Sequence, residues 1–332
     1  MVRPPLPLAR QPLRPGTAIG GGETLECVGG GRTGLVYRML DRANDRQFAL
    51  REYMPLGLAH RVGNDVVPFA DAEVAFAQGL HRFVDDANRL AGFDHPALVK
   101  SHRVWSIGGS ACMALPLLHG RSLAQELRRL PRPLPQARLE TWLRGLSEAL
   151  VCLHRSGTVH GQVSPAQVMV LDSGALVLRE FDNARWALGE AQWQRGSDPW
   201  LAPEQLDALT APARPVGAWT DVYALAALMH YAITGRTPVP AAQRSGADPQ
   251  VPLTAVAGGD YSHRLLRALD RALNLPPQAR PQSMVQFMGS LGLVERRTPQ
   301  DSATPEAGHE RRRLKDKGPV VCTTGHLLSS AP

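Results

Sequence analysis

One change of periodicity, near Gly120, constrains this chain more than any other feature of it. Before that point apolar and polar residues alternate; beyond it, apolar residues recur at helical spacing. The stretch "TLECVGGGRTGLVYRMLDRANDRQFALREYMP" alternates on either side of the turn-forming "DRAND" and reads as successive antiparallel strands. One amphipathic helix interrupts this half, with Phe76, Leu80, Phe83, Ala87 and Leu90 on a single face over roughly Ala72–Gly92. Past Gly120 come "SLAQELRRL", "RLETWLRGLSEALVCLHRSG", "TDVYALAALMHYAITG" and "SHRLLRALDRALNL", all helical. A short strand pair, "QVMVL" and "ALVLREF", folds about "DSG" between them. A small strand-rich lobe followed by a larger helical one is the expectation, an α+β, two-lobed design.

The chain is long enough for two lobes with cores of their own, at 332 residues and 43% apolar content. A formal net charge of +7 raises nucleic acid as a partner. The basic residues are scattered arginines, however, and the lysines are only Lys100, Lys315 and Lys317, so no phosphate track forms and nucleic acid is not expected. Cys27, Cys112, Cys152 and Cys322 form no C-x-x-C pair, which fits a reducing cytoplasm rather than a disulfide framework. No apolar run approaches the ~18 residues a membrane span needs, and the Pro- and Arg-rich start lacks a signal peptide's apolar core. Residues 1–22 read as a flexible lead-in, 23–293 as the folded domain with lobes meeting near 116 and 117, and 294–332 as a disordered basic tail.

Gly29-x-Gly31-x-x-Gly34-x-Val36 has a spacing that also opens dinucleotide-binding units. There the glycines lead into a helix; here they lead into "LVYRML", a strand pattern. A glycine flap covering phosphates with backbone N–H groups and an ordinary tight hairpin both fit that context.

Further motifs follow in order. "FALRE" places Arg51 on a strand; "RFVDDANRLAGFDHPALV" carries Asp86 and a His-Pro turn; "ACMALPLLHGRSL" sets Leu115 before Pro116–Leu118. Then come "VHGQVSPAQVMV", "REFDNAR", "GSDPWLAPEQ", "WTDVYALAALMHYAITGRTP" and "ARPQS". Over about residues 22–293 this series resembles the protein-kinase signature set, in the style of bacterial eukaryotic-like Ser/Thr kinases. The resemblance implies a nucleotide site at Gly29, Gly31, Gly34, Val36, Ala49, Arg51, Asp86, Leu115 and Leu117, with ATP and Mg²⁺ or Mn²⁺ as candidate ligands. It implies structural roles for His160, Glu204, Asp221 and Arg280, the last pairing with Glu204.

The same resemblance shows what is changed. In that family a Lys–Glu pair holds the α/β-phosphates, an Asp and an Asn hold two metal ions, and a loop Asp takes the hydroxyl proton. Arg51 and Asp86 stand at the Lys and Glu positions, and their combined reach suits an ion pair. Gln162 replaces the loop Asp and cannot act as a base near pH 7. Ser164 removes a cation, while Gln167 and Glu180 remain as weak metal ligands and Asp182 replaces a glycine. Losing a general base costs about 10²–10⁴ in rate, and losing one preorganised charge contact about 10²–10³. The segment Asn183–Gly196, "NARWALGEAQWQRG", has no Ser, Thr or Tyr, and Gly161 removes the Arg that would read a phosphate there. The expectation is a cytoplasmic pseudokinase that binds other proteins in signalling. Its rivals are an unconventional ATP-dependent transferase using Glu180 and Gln167 for metal, and a nucleotide sensor without turnover.

Overall fold

Alternation in the first third of the chain builds a curled antiparallel sheet. The computed structural model describes residues 10–179, 198–207, 215–244 and 248–293. Strands β1 (Ala18–Ile19), β2 (Gly22–Gly30), β3 (Gly34–Asp41), β4 (Arg46–Tyr53), β7 (Arg103–Ile107) and β8 (Ser110–Leu115) lie in the order β1-β2-β3-β4-β8-β7. The "DRAND" turn closes because the Asp41 carboxylate accepts from the backbone of Ala43 and Asn44, and Asp45 takes a left-handed φ of 49°. Helix α1 (Glu73–Ala91) buries Phe76, Phe83, Ala87 and Leu90, the face expected from the spacing.

Register decides what each face of β4 carries. Val36 pairs with Arg51 and Arg38 with Ala49 across β3–β4, and Ala49 pairs with Leu115 across β4–β8. Ala49, Arg51 and Tyr53 therefore share one face, and there the Tyr53 ring meets Phe76 and Phe83 of α1. Glu52, on the opposite face, is 2% exposed and accepts from Tyr37 Oη at 2.9 Å and from Arg61. Arg61 belongs to a hairpin, β5 (Ala59–Val62) and β6 (Asp65–Pro68), inserted before α1.

The start of the chain differs from the expected flexible lead-in over residues 10–22. Leu13 is buried and its N–H donates to Tyr37 Oη at 3.2 Å, Arg10 donates to the carbonyls of Gly34 and Met54, and β1 extends the sheet. Two buried apolar residues, Leu13 and Ile19, and scattered hydrogen bonds hold this segment, and neither leaves a periodicity to read. Residues 1–9 and the tail from 294 lie outside the described residues.

The second lobe is helical: α2 (Leu123–Arg129), α3 (Gln136–Arg155), α4 (Pro203–Asp207), α5 (Ala218–Thr234), α6 (Leu253–Val256), α7 (His263–Ala272) and α8 (Met284–Leu291). Nearly every residue from Thr220 to Ile233 is buried, so α5 is the central helix, and Gly235 ends it with φ 75°. A small sheet, β11-β10-β9, joins Gly120–Ser122 (β9) to Val168–Leu171 (β10) and Leu176–Leu178 (β11). A backbone rung ties the linker after α1 to this sheet: Val99 N–H donates to Leu178 at 2.9 Å and Leu178 N–H to Ala97 at 2.8 Å. Among the described residues no helix is long and apolar enough to cross a membrane.

Candidate functional site

The glycine stretch forms a β2–β3 hairpin lying over β4, with Gly29 opposite Val36 and Gly30 opposite Leu35. Gly34 has a steric reason to be glycine, since a Cβ there would sit 2.0 Å from the Glu52 carbonyl oxygen. Beneath the hairpin is a cavity of about 440 Å³ walled by Val28, Val36, Ala49, Leu115, Leu117 and Met169, with Arg179 also on its lining. An apolar slot with few polar groups suits a planar aromatic ligand.

Arg51 and Asp86 are both buried, at 6% and 5% exposure, on β4 and α1. Arg51 Nη2 donates to Thr33 Oγ1 at 2.9 Å, and its guanidinium lies 5.7 Å from the Phe83 ring centre. The planar fork thus meets both the hairpin and the ring on α1. Thr33, fully buried inside the hairpin, carried no signal in the sequence beyond its place between two glycines.

The segment from Val159 to Val170 lies across the floor. Asp221 at the start of α5 holds its near end, accepting from His160 N at 2.8 Å, Gly161 N at 2.7 Å and His154 Nε2 at 2.7 Å. The His160 ring spans inward, with Nε2 donating to the Arg179 carbonyl at 3.1 Å. Gly161 has φ 70°, and its carbonyl accepts from Gln205 Nε2 at 2.7 Å. Gln162 and Ser164 are buried, at 6% and 9% exposure. At the far end, Gln167 Oε1 accepts from Arg179 Nε at 3.3 Å and Nη2 at 3.2 Å, and Arg179 N–H donates back to the Gln167 carbonyl at 2.8 Å.

A strand-rich lobe with a hairpin over an apolar slot, followed by a helical lobe, can be set beside known proteins. The protein kinase domain model covers residues 23–283. This chain belongs to the protein kinase family. It is 26% identical over 241 residues to the serine/threonine-protein kinase pkn2 of Myxococcus xanthus, covering 69% of this chain and 26% of that one. It is 29% identical over 238 residues to the DNA damage-responsive serine/threonine-protein kinase RqkA of Deinococcus radiodurans, covering 68% and 32%. The chain thus spans less than a third of the length of these two curated relatives. Among solved structures, one named PpkA-294 apo form superposes with a TM-score of 0.76 at 32% identity, over 84% of this chain and 99% of that one. The PknI kinase domain of M. tuberculosis shares the fold, with a TM-score of 0.63 at 23% identity over 85% and 98%.

In kinase terms the scaffold residues meet as a set. Arg280 and Glu204 form a two-pronged ion pair, 2.8 and 3.0 Å, at 1% and 0% exposure. Thr220 Oγ1 adds a hydrogen bond to Glu204 at 2.7 Å. The remaining Arg280 donors go to the carbonyls of Asn274, Leu275 and Trp219, and its guanidinium stacks 4.8 Å from the Tyr223 ring centre. Both buried charges are therefore fully compensated.

The catalytic positions are a different matter. Glu180, Asp182 and the Asn183–Gly196 segment lie outside the described residues. Of the two candidate metal ligands, Gln167 is the one described. A divalent cation does not fit there: the amide oxygen already receives two N–H groups from a guanidinium, which brings a fixed positive charge to the ligand atom. Gln162 offers an amide where a carboxylate base would stand. Arg179 and Gln205 escaped the sequence reading, and only Arg179 left a usable signal, taken up below.

Proposed function

We propose that this protein-kinase-family chain is catalytically impaired, a pseudokinase that acts by binding other proteins in signalling. The observation that carries the reading is the Gln167–Arg179 contact: the one amide oxygen left at the family's Asn position is engaged by a cation rather than open to a metal. The neutral Gln162 and the loss of the β4 lysine to Arg51 point the same way. The apolar cavity and the glycine hairpin support retention of nucleotide binding without turnover. We assign the binding role to residues 23–293 and a cytoplasmic setting to the whole, with residues 294–332 as a basic tail.

Purified protein incubated with labelled ATP and Mg²⁺ or Mn²⁺ tests the proposal. No incorporation into the protein or into generic substrates is expected. Metal-dependent incorporation that disappears in Glu180→Ala would overturn the reading in favour of an unconventional transferase.

A further inference from the structure

We infer that the cleft takes a nucleoside triphosphate free of divalent cation, with the Arg179 guanidinium supplying the positive charge that a metal ion brings in active kinases. The inference rests on the reading that a nucleotide still enters without being turned over.

Three cations bear on the cleft, and they differ in how they are committed. Arg51 lies beneath the glycine hairpin, bonded to Thr33, and does not line the cavity. Arg121 lines it but is paired with Glu126 at 2.8 Å. Arg179 lines it, and among the described residues its side-chain partner is a neutral amide, not a carboxylate. Its charge is therefore directed at the cleft without a counter-charge on the described walls.

Arg179 is also held in place before any ligand arrives. Val168 pairs with Leu178, and the next rung is the Arg179 N–H to Gln167 carbonyl bond, so the backbone is clamped on both sides of the hairpin. The His160 ring fixes the Arg179 carbonyl from below. The amide then orients the guanidinium, leaving Nη1 and the second hydrogen of Nη2 uncommitted among the described contacts. A fork with donors to spare and little freedom left to lose is a ready site for phosphate oxygens.

The same charge works against a metal. Mg²⁺ needs near-octahedral oxygen ligands at close range, and here the available oxygen already faces a guanidinium. A nucleotide carrying its own Mg²⁺ brings its negative charge half neutralised and sets the metal beside the guanidinium, whereas the free nucleotide brings its full negative charge. Chelation should therefore leave ATP binding intact or improve it, the reverse of the behaviour of a metal-dependent kinase.

The test is calorimetric titration of the full chain with ATP and with adenosine, in EDTA and in excess Mg²⁺. ATP should bind at least as tightly in EDTA as in Mg²⁺. Arg179→Gln should weaken ATP in EDTA by tenfold or more while leaving adenosine unchanged, and Arg179→Lys, which keeps the charge, should retain part of the affinity. The unchanged adenosine affinity reports that the variant is folded. Tenfold tightening of ATP by Mg²⁺, an Arg179→Gln variant that binds ATP in EDTA as well as the parent, or no ATP binding under either condition would each overturn the inference. Phosphoryl transfer assayed on the same samples separates the two levels. Transfer with Mg²⁺ sinks the pseudokinase reading, whereas Mg²⁺-tightened binding without transfer sinks only the metal-free site.

Discussion

Asp221 and Gln167 take hold of the same loop at its two ends, and the two ends have gone different ways. At the Asp221 end a buried carboxylate gathers two backbone N–H groups and a histidine, each within 2.8 Å. At the Gln167 end a longer, neutral amide has turned to an arginine on the neighbouring strand. The first kind of contact supports the fold whatever the loop does chemically, because breaking it strands buried polar groups. The second kind needs only the chemistry to give it a reason. Residues of the second kind are exchanged at less cost to the shape, and that contrast accounts for a kinase fold whose cleft differs from the family pattern.

The contrast breaks most visibly at Glu204 and Arg280. Arg280→Met should cost about 3–5 kcal/mol in chemical denaturation, since it leaves a carboxylate buried and unpaired. Val28→Ala, at a half-exposed residue on the wall of the cleft, should stay within about 1 kcal/mol of the parent. Equal losses from the two would erase the distinction between scaffold and cleft.

An intermediate effect is expected at Asp221. Asp221→Asn keeps one accepting oxygen but turns an N–H₂ group toward donors, and about 1–3 kcal/mol of stability should go with it. Thermal unfolding that matches the parent would show the loop anchored by something else.

Smaller again is the tie between the glycine hairpin and β4. A double-mutant cycle of Arg51→Met and Thr33→Val should show coupling of about 1.5 kcal/mol, the low end for one buried hydrogen bond from a charged donor. Strict additivity would mean that the Arg51 fork is held elsewhere.

His230, on α5, should give a slope rather than a collapse. Burial holds its imidazole below the usual value; the carbonyl of Arg236 and the Asp270 charge oppose this, while Arg244 adds to it. As pH falls through about 6.5 the unfolded chain takes the proton first. Stability is thus full above that pH and declines as pH falls toward the folded value. His230→Gln should flatten this part of the pH profile of unfolding; an unchanged profile would assign it to another group.

The smallest effect expected is none. Gln162→Asp restores a carboxylate, but Ser164 and the Arg179-capped Gln167 remain, so labelled-ATP transfer should stay at background. Robust activity from that one change would mean the metal position has been misread.

Much of the fold was legible because it repeats. Alternation gave the sheet, and the face holding Phe76, Phe83 and Leu90 gave α1 within a residue at each end. The Glu204–Arg280 pair spans 76 positions and was legible only through a family resemblance, since nothing local marks either residue. Residues 10–22 were not legible, because Leu13 and Ile19, six positions apart, and a few hydrogen bonds make no period. Arg179 could have been found. Counting outward from the "DSG" turn pairs Met169 with Val177 and Val168 with Leu178, and one more step sets Gln167 against Arg179. The register was in the sequence, but Arg179 read as the polar end of a strand.

The rung between Ala97–Val99 and Leu178 joins the lobes at a second place, apart from the chain crossing at Pro116–His119. One attachment leaves a body three rotations; two leave it a single axis, the line through both. The glycine hairpin belongs to the six-stranded sheet and α1 packs on β7 and β8 of that sheet, so both lie on the same side of the two ties. Any displacement of α1 against the second lobe is therefore resisted at two places rather than at one.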